Sequence, residues 1–196
     1  MGRDKALLPL GQETFLTHLL GTLDGEVSPL VVVLGHHADE IESRIQAARN
    51  VHILRNPDYP SGQLSSLKVA LRFLQKEPLA GAMVCLVDHP AIAKTVIRQM
   101  LERFRQTSSR IVIPMFQGRR GHPVLFAASL FTELLDAPLD AGARFVVSAH
   151  ANEVELVETG EEGILLDVDR PADYEALLQR WVSLTGTGGT PSEGPL

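Results

Sequence analysis

The sequence predicts an α/β protein with a mostly parallel sheet and a hairpin-like antiparallel part. Three observations carry that expectation. Strand-like apolar runs alternate with segments whose apolar residues recur at spacings of three and four. The runs Pro29–Leu34 and Ala82–Val87 are almost continuously apolar, as in strands buried on both faces. A Gly-Arg-Arg-Gly turn at Gly118 to Gly121 then reverses the chain into another apolar run.

The elements follow in order. Pro29–Leu34 reads as a strand ending at Gly35-His36-His37, and Ala38–Ala48 as a helix with Ile41 and Ile45 on one face. Val51–Leu54 is a short strand, and the Pro- and Gly-containing stretch Asn56–Gly62 is a loop. Gln63–Lys76 places Leu64, Leu67, Leu71 and Leu74 on one helical face. The strand Ala82–Val87 stops at Asp88-His89-Pro90. A helix over Lys94–Gln106 and a strand over Arg110–Met115 come next, and His122–Phe126 returns after the turn. Helices are expected around Ala127–Leu135 and Ala141–His150, and strands at Glu153–Glu158 and Gly163–Val168. A final helix starts at Pro171, a favoured first-turn residue, and runs to about Trp181. The expected organisation is one domain over residues 1–183 with a Gly-, Thr- and Pro-rich flexible tail over 184–196.

Composition narrows the function classes. The 196 residues are 44% hydrophobic and 21% charged, with a net charge of −6 and no basic block. A nucleic-acid footprint or an anionic membrane surface as partner is therefore not expected. The longest apolar runs are strand-sized, well below the ~20 residues that span a bilayer. The amino terminus has no apolar secretory core. Cys85 is the single cysteine, so no internal disulfide can form, and a cytoplasmic location is expected.

Open α/β sheets bind ligands at the carboxyl ends of their strands, which turns several loops into candidates. A carboxylate directly after an apolar strand is costly unless it meets a cation, so Asp88 is a candidate magnesium ligand; capping of the next helix is the alternative. Asp167 and Asp169, two residues apart, would share one face of a strand ending and could add a carboxylate, or Asp169 could start the last helix. Lys5, beside Gly2 and Arg3, suits a phosphate, although a surface lysine is the simpler reading. Gly62 with Ser65 and Ser66 at a helix start suits an anion or a ribose, or simply caps that helix. Arg119, Arg120 and His122 offer cationic groups for an anionic substrate, or form a solvated hairpin tip. His36 and His37 are too isolated for a metal site and are expected to line a loop. No zinc spacing and no serine-nucleophile elbow occurs in the sequence.

The stretches MGRDKALLPL, NPDYPSGQLSSL, LVDHP, GRRGHPVLF and LLDVDRPADY occur here in that order over residues 1–180. Together they resemble the MobA-like nucleotidyltransferase family, in particular its molybdenum cofactor cytidylyltransferase branch. The resemblance implies a Rossmann-like three-layer sandwich of the nucleotide-diphospho-sugar transferase type. It also implies Mg2+-dependent transfer of a cytidylyl group from CTP to the terminal phosphate of molybdopterin, with release of pyrophosphate. By that resemblance Lys5, Gly2 and Arg3 hold the triphosphate, and Asn56, Gly62, Ser65 and Ser66 hold the nucleotide. Asp88 takes the metal with Asp169 and Asp167, and Arg119, Gly121, His122 and Pro123 belong to the pterin side.

A molybdoenzyme or its chaperone is the implied recipient. Guanylyl-transferring relatives carry a Gly-Pro-Leu-Ala-Gly type of block where this chain has Gly62-Gln-Leu-Ser-Ser-Leu67, which favours cytosine. Family members open with a strand and a loop of the type Leu-Ala-Ala-Gly-x-Ser-x-Arg-Met-Gly. This sequence opens at that Met-Gly, so the central strand and the first half of the loop are expected upstream of residue 1, with a truncated, weakened relative as the alternative. Other readings are use of GTP, another small phosphorylated acceptor, and a non-catalytic carrier of the molybdenum cofactor.

Overall fold

A computed structural model describes residues 4–45 and 50–185. Gly2 and Arg3, the end of the first expected helix and residues 186–196 of the expected tail lie outside them.

The first elements are a turn of 3-10 helix at Lys5–Leu7, a two-residue hairpin of β1 (Pro9–Leu10) and β2 (Glu13–Thr14), and α1 (Phe15–Leu23). None of these was expected. Thr14 caps α1 in a reciprocal box with Thr17, and Phe15, Leu16, Leu19 and Leu20 supply the buried stripe. Next come β3 (Leu30–Leu34), α2 (Ala38–Ile45) and β4 (Val51–Arg55), and β3 pairs in parallel with β4 from Leu30↔Val51 to Leu34↔Arg55. They are followed by α3 (Gln63–Leu74), β5 (Gly81–Val84), α4 (Lys94–Gln106) and β6 (Ile111–Phe116). The expected strand over Ala82–Val87 is thus shorter at its carboxyl end.

The antiparallel return consists of β7 (Arg119–Arg120) and β8 (Val124–Ala127), followed by α5 (Phe131–Asp136), α6 (Arg144–Ala149), β9 (Val154–Glu158) and α7 (Pro171–Thr185). The second sheet is mixed. In it β8 lies antiparallel between β5 and β6, and β9 runs parallel along the other edge of β6. Two expectations change here. Gly163–Val168 is not a strand: Glu162–Leu165 forms a 3-10 turn because Gly163 packs directly on the Ala91 carbonyl, too close for any Cβ. The last helix continues to Thr185, into the expected tail.

Alternation along the strands builds three layers. Ile111 and Ile113 of β6, with Phe126 of β8, pack with Leu71 of α3 and Leu134 of α5. Val112 and Leu125, pointing the other way, pack with Val96 and Met100 of α4. Leu71, Ile111, Leu130 and Leu134 are fully buried. Each such side chain contributes about 1.5–3 kcal/mol relative to exposure.

A smaller cluster joins the amino and carboxyl ends. Leu10 and Phe15 pack with Val168 and Leu177, and the Tyr174 hydroxyl donates to the Pro9 carbonyl at 2.8 Å. This packing fixes the Lys5 turn beside the segment that enters α7. Among the described residues no helix is long and apolar enough to cross a membrane.

Candidate active site

The Lys5 turn is held from within: the Asp4 carboxylate accepts the Ala6 N–H at 3.0 Å, and Ala6 is buried against Leu16, Leu20 and Leu34. The Lys5 ammonium therefore projects from a fixed base. Its Nζ donates to Asp169 Oδ1 at 2.6 Å and to Asp88 Oδ2 at 3.4 Å. Burial lowers the affinity of Lys5 for its proton, but Asp169 and Asp88 outweigh it and the pKa is raised. Reciprocally, the hydrogen bond from Lys5 holds the Asp169 carboxyl below its ordinary range.

Asp88 follows β5 in a turn closed by the His89 N–H to the Leu86 carbonyl at 3.1 Å. Its own carbonyl accepts the Val168 N–H at 2.9 Å. That bond, with Val168 buried, sets exposed Asp167 and Asp169 on either side of a pinned residue at the mouth of the site. The two aspartates are placed there by a loop, and not by the expected strand.

On the other side of Asp88, the rings of His89 and His122 lie 4.6 Å apart. The His122 N–H donates to the Ile164 carbonyl at 3.0 Å, and the His122–Pro123 peptide is cis. Gly121 passes so close to Ile164 that an added Cβ would stand 2.4 Å from its carbonyl oxygen, so only glycine fits. Burial lowers the pKa of both histidines against the pull of Asp88 and Asp167, leaving a neutral imidazole pair beside the carboxylates. The buried Nδ1 of His89 has no hydrogen-bond partner among the described residues. Arg119 stands apart from this pair, exposed in the hairpin strand β7.

The loop after β4 is built by Asn56, which is only 3% exposed. Its Nδ2 donates to Ser65 Oγ at 2.8 Å and Ser66 Oγ at 3.0 Å, while its Oδ1 accepts the Asp58 N–H at 3.0 Å. Ser65 Oγ also lies 2.7 Å from the Gly62 carbonyl. Asn56 and Ser65 thus shape the loop from inside, and Ser66 is the more accessible hydroxyl. Gly62 has φ +99° with open space around it, and no side chain caps α3. Tyr59 of this loop packs on Gly35, and His37 Nδ1 lies 4.0 Å from Asp4.

The loops after β3, β4 and β5 therefore form one rim, with Lys5 at its centre and the 121–123 and 167–169 segments across from it. The resemblance implied that Lys5, Asp88 and Asp169 share one site, but the direct contact of Lys5 with Asp169, 164 residues away, was not legible in the sequence, and neither was the His89–His122 pair. The residue between Asp88 and Pro90 carried the only hint of that pair.

The donor set suits a hard divalent cation. Carboxylate oxygens of Asp88 and Asp169 already bracket one cationic group, and magnesium commonly takes one or two carboxylates plus substrate phosphates. Among the described residues no cluster of three or more metal-binding side chains occurs, so this is not an all-protein cage.

The chain is 25% identical over 184 residues to the molybdenum cofactor cytidylyltransferase of Escherichia coli (strain K12), covering 94% of this chain and 92% of the relative. It is 27% identical over 184 residues to a probable molybdenum cofactor guanylyltransferase of Mycobacterium avium (strain 104), covering 91% and 89%. A crystal structure of a Mycobacterium tuberculosis protein in complex with manganese superposes with a TM-score of 0.70 at 25% identity, covering 91% of this chain and 93% of that one. The family model for the MobA-like NTP transferase domain matches residues 1–154. With that match over most of its length, the chain belongs to the MobA-like NTP transferase family and is an enzyme of the nucleotidyltransferase type.

Proposed function

We propose that this protein transfers a cytidylyl group from CTP to the terminal phosphate of molybdopterin and releases pyrophosphate, with Mg2+ as the metal. The observation that carries the reading is the Lys5 ammonium held between Asp88 and Asp169 at the carboxyl end of β5. The named relatives supply the acceptor, and the Gly62-Gln-Leu-Ser-Ser-Leu67 block favours cytosine.

A phosphate oxygen of the acceptor attacks the α-phosphorus in line, a new P–O bond forms, and the bond to the bridging oxygen of pyrophosphate breaks. Such a transfer needs positioning and charge neutralisation more than covalent help. Lys5 leaves its carboxylate partners for the incoming triphosphate and neutralises charge on the leaving pyrophosphate. Asp88 and Asp169 would hold the metal, which when bound offsets charge on the phosphate oxygens. The open first turn of α3, with Gly62 and Ser66, receives the nucleotide, and Asn56 and Ser65 keep that loop in shape. The neutral His89–His122 pair, with Gly121 and Pro123, faces the acceptor, and Arg119 supplies a peripheral positive charge. A molybdoenzyme or its chaperone then receives the product.

The guanylyltransferase relatives make GTP the specific competing reading. Pyrophosphate release measured with CTP or GTP, with and without molybdopterin, in Mg2+ or Mn2+, separates the two. Faster release with CTP that requires molybdopterin supports the proposal, and a preference for GTP overturns the cytidylyl assignment. Release independent of molybdopterin overturns the acceptor.

A further inference from the structure

The imidazoles of His89 and His122 are flanked by carboxylates, yet among the described residues neither ring forms a hydrogen bond. Asp88 and Asp167 face both rings, and Asp169 and Lys5 face His89, with Lys5 the only cation among these groups. The pair is held from behind by the Glu162–Leu165 turn, which grips both loops that carry it. Gly163 packs so tightly on Ala91 that a Cβ would stand 2.1 Å from its carbonyl oxygen, and the Ile164 carbonyl accepts the His122 N–H at 3.0 Å. The His89 N–H is tied to the Leu86 carbonyl at 3.1 Å. With ring centroids 4.6 Å apart and planes at 42°, each imidazole restricts rotation of the other.

The two nitrogens of His89 differ. Nδ1 is buried without a partner, whereas Nε2 keeps access to the site. A proton on Nδ1 would be a buried donor with no acceptor, the rarer defect in folded proteins, while a proton on Nε2 leaves only a lone pair unmatched. The enclosure of Nδ1 therefore selects the tautomer with its N–H at Nε2. We propose that His89 is an acceptor-binding residue whose Nε2–H donates to an oxygen of the acceptor's terminal phosphate, in an orientation fixed by the His122 ring. This rests on the proposed transfer to a phosphate acceptor and adds the group that orients the nucleophile. A phosphate entering here meets three carboxylates, and Lys5 is given over to the triphosphate. An uncharged N–H offers it a bond that no carboxylate has taken, and hydrogen bonds to ionised phosphate are the stronger kind. Because His89 directly follows Asp88, one turn places both the donor and the carboxylate. No proton changes hands, since the attacking phosphate oxygen is already ionised.

The first test is nitrogen-15 NMR of the natural chain at about pH 8, where an imidazole is neutral. His89 should carry its ring proton on Nε2, and inorganic phosphate should shift Nε2 more than Nδ1. A proton on Nδ1, or no response of Nε2 to phosphate, overturns the proposal. The second test measures pyrophosphate release by His89→Gln, His89→Asn and His89→Ala, because a glutamine amide can reach the Nε2 position and an asparagine amide only the Nδ1 position. KM for molybdopterin should rise about tenfold or more for His89→Asn and His89→Ala and stay within about threefold for His89→Gln, with KM for CTP unchanged in all three. Rescue by His89→Asn and not by His89→Gln overturns the proposal, as does an unchanged KM for molybdopterin in every variant. A parallel rise in both KM values also overturns it, by reducing His89 to packing behind Asp88. If the natural chain releases no pyrophosphate with molybdopterin, the proposed function fails, and the response of Nε2 to phosphate decides the role of His89 separately.

Discussion

At the residue scale, the site depends on three charges that are far apart in sequence. Replacing Asp88 by Asn keeps its shape and its backbone bond to Val168 but removes one of the two carboxylates facing Lys5. Turnover should fall by roughly 10²–10³-fold, with an unchanged circular dichroism spectrum. Lys5→Met should free the Asp169 carboxyl from its hydrogen bond, so its pKa should rise toward the ordinary value, which side-chain NMR titration would read. Gly121→Ala drives a Cβ against the Ile164 carbonyl and should cost about 1–3 kcal/mol of stability in denaturant titration. Asp88 was legible in the sequence because a carboxylate after an apolar run demands a cation. Its pairing with Lys5 and Asp169 was not, because it depends on how the two ends of the chain pack. Likewise, Ser65 and Ser66 read alike in the sequence, and only the bonds to Asn56 and the Gly62 carbonyl tell them apart.

At the element scale, periodicity made the long helices and apolar strands readable: Gln63–Leu74 and Lys94–Gln106 stand close to where their leucine spacing and flanking loops put them. The two-residue strands β1 and β2 carry too few residues to show a period, and the turn at Glu162–Leu165 has the apolar content of a strand but folds against Ala91. The Thr14–Thr17 box that starts α1 was not read from the sequence, because its partner is threonine and not the glutamate or glutamine of the usual signature. Thr14→Ala should lower stability by about 1 kcal/mol.

The end of α6 carries a pH-dependent contact. The His150 imidazole bonds to Glu133 first and Glu153 second, against the opposing charge of Arg110, and its pKa is raised above 6.5. A raised pKa means that the stabilisation is fully present below 6.5 and is lost as pH rises through the folded value. The stability difference between the natural chain and His150→Gln should therefore be largest near about pH 5 and vanish in alkaline solution, as measured by urea unfolding.

At the scale of the whole molecule, the three-layer core and the cluster that joins the chain ends have separate tasks. The core of α3, α5, β6 and β8 sets the sheet, while Leu10, Phe15, Val168 and Leu177 clamp the Lys5 turn to the Asp169 segment. Shortening Leu177 to Ala should therefore raise KM for the nucleotide through Lys5 as well as lower stability by about 2–5 kcal/mol. The family, the layers and most of the rim were legible because they rest on local blocks of sequence. The most direct test of the proposed function is pyrophosphate release from CTP in the presence of Mg2+ and molybdopterin, for the natural chain and for Asp88→Asn. Release that needs molybdopterin, exceeds that from GTP and is lost in Asp88→Asn is the predicted result. Release that persists undiminished in Asp88→Asn would contradict the assignment of Asp88 and the chemistry built on it.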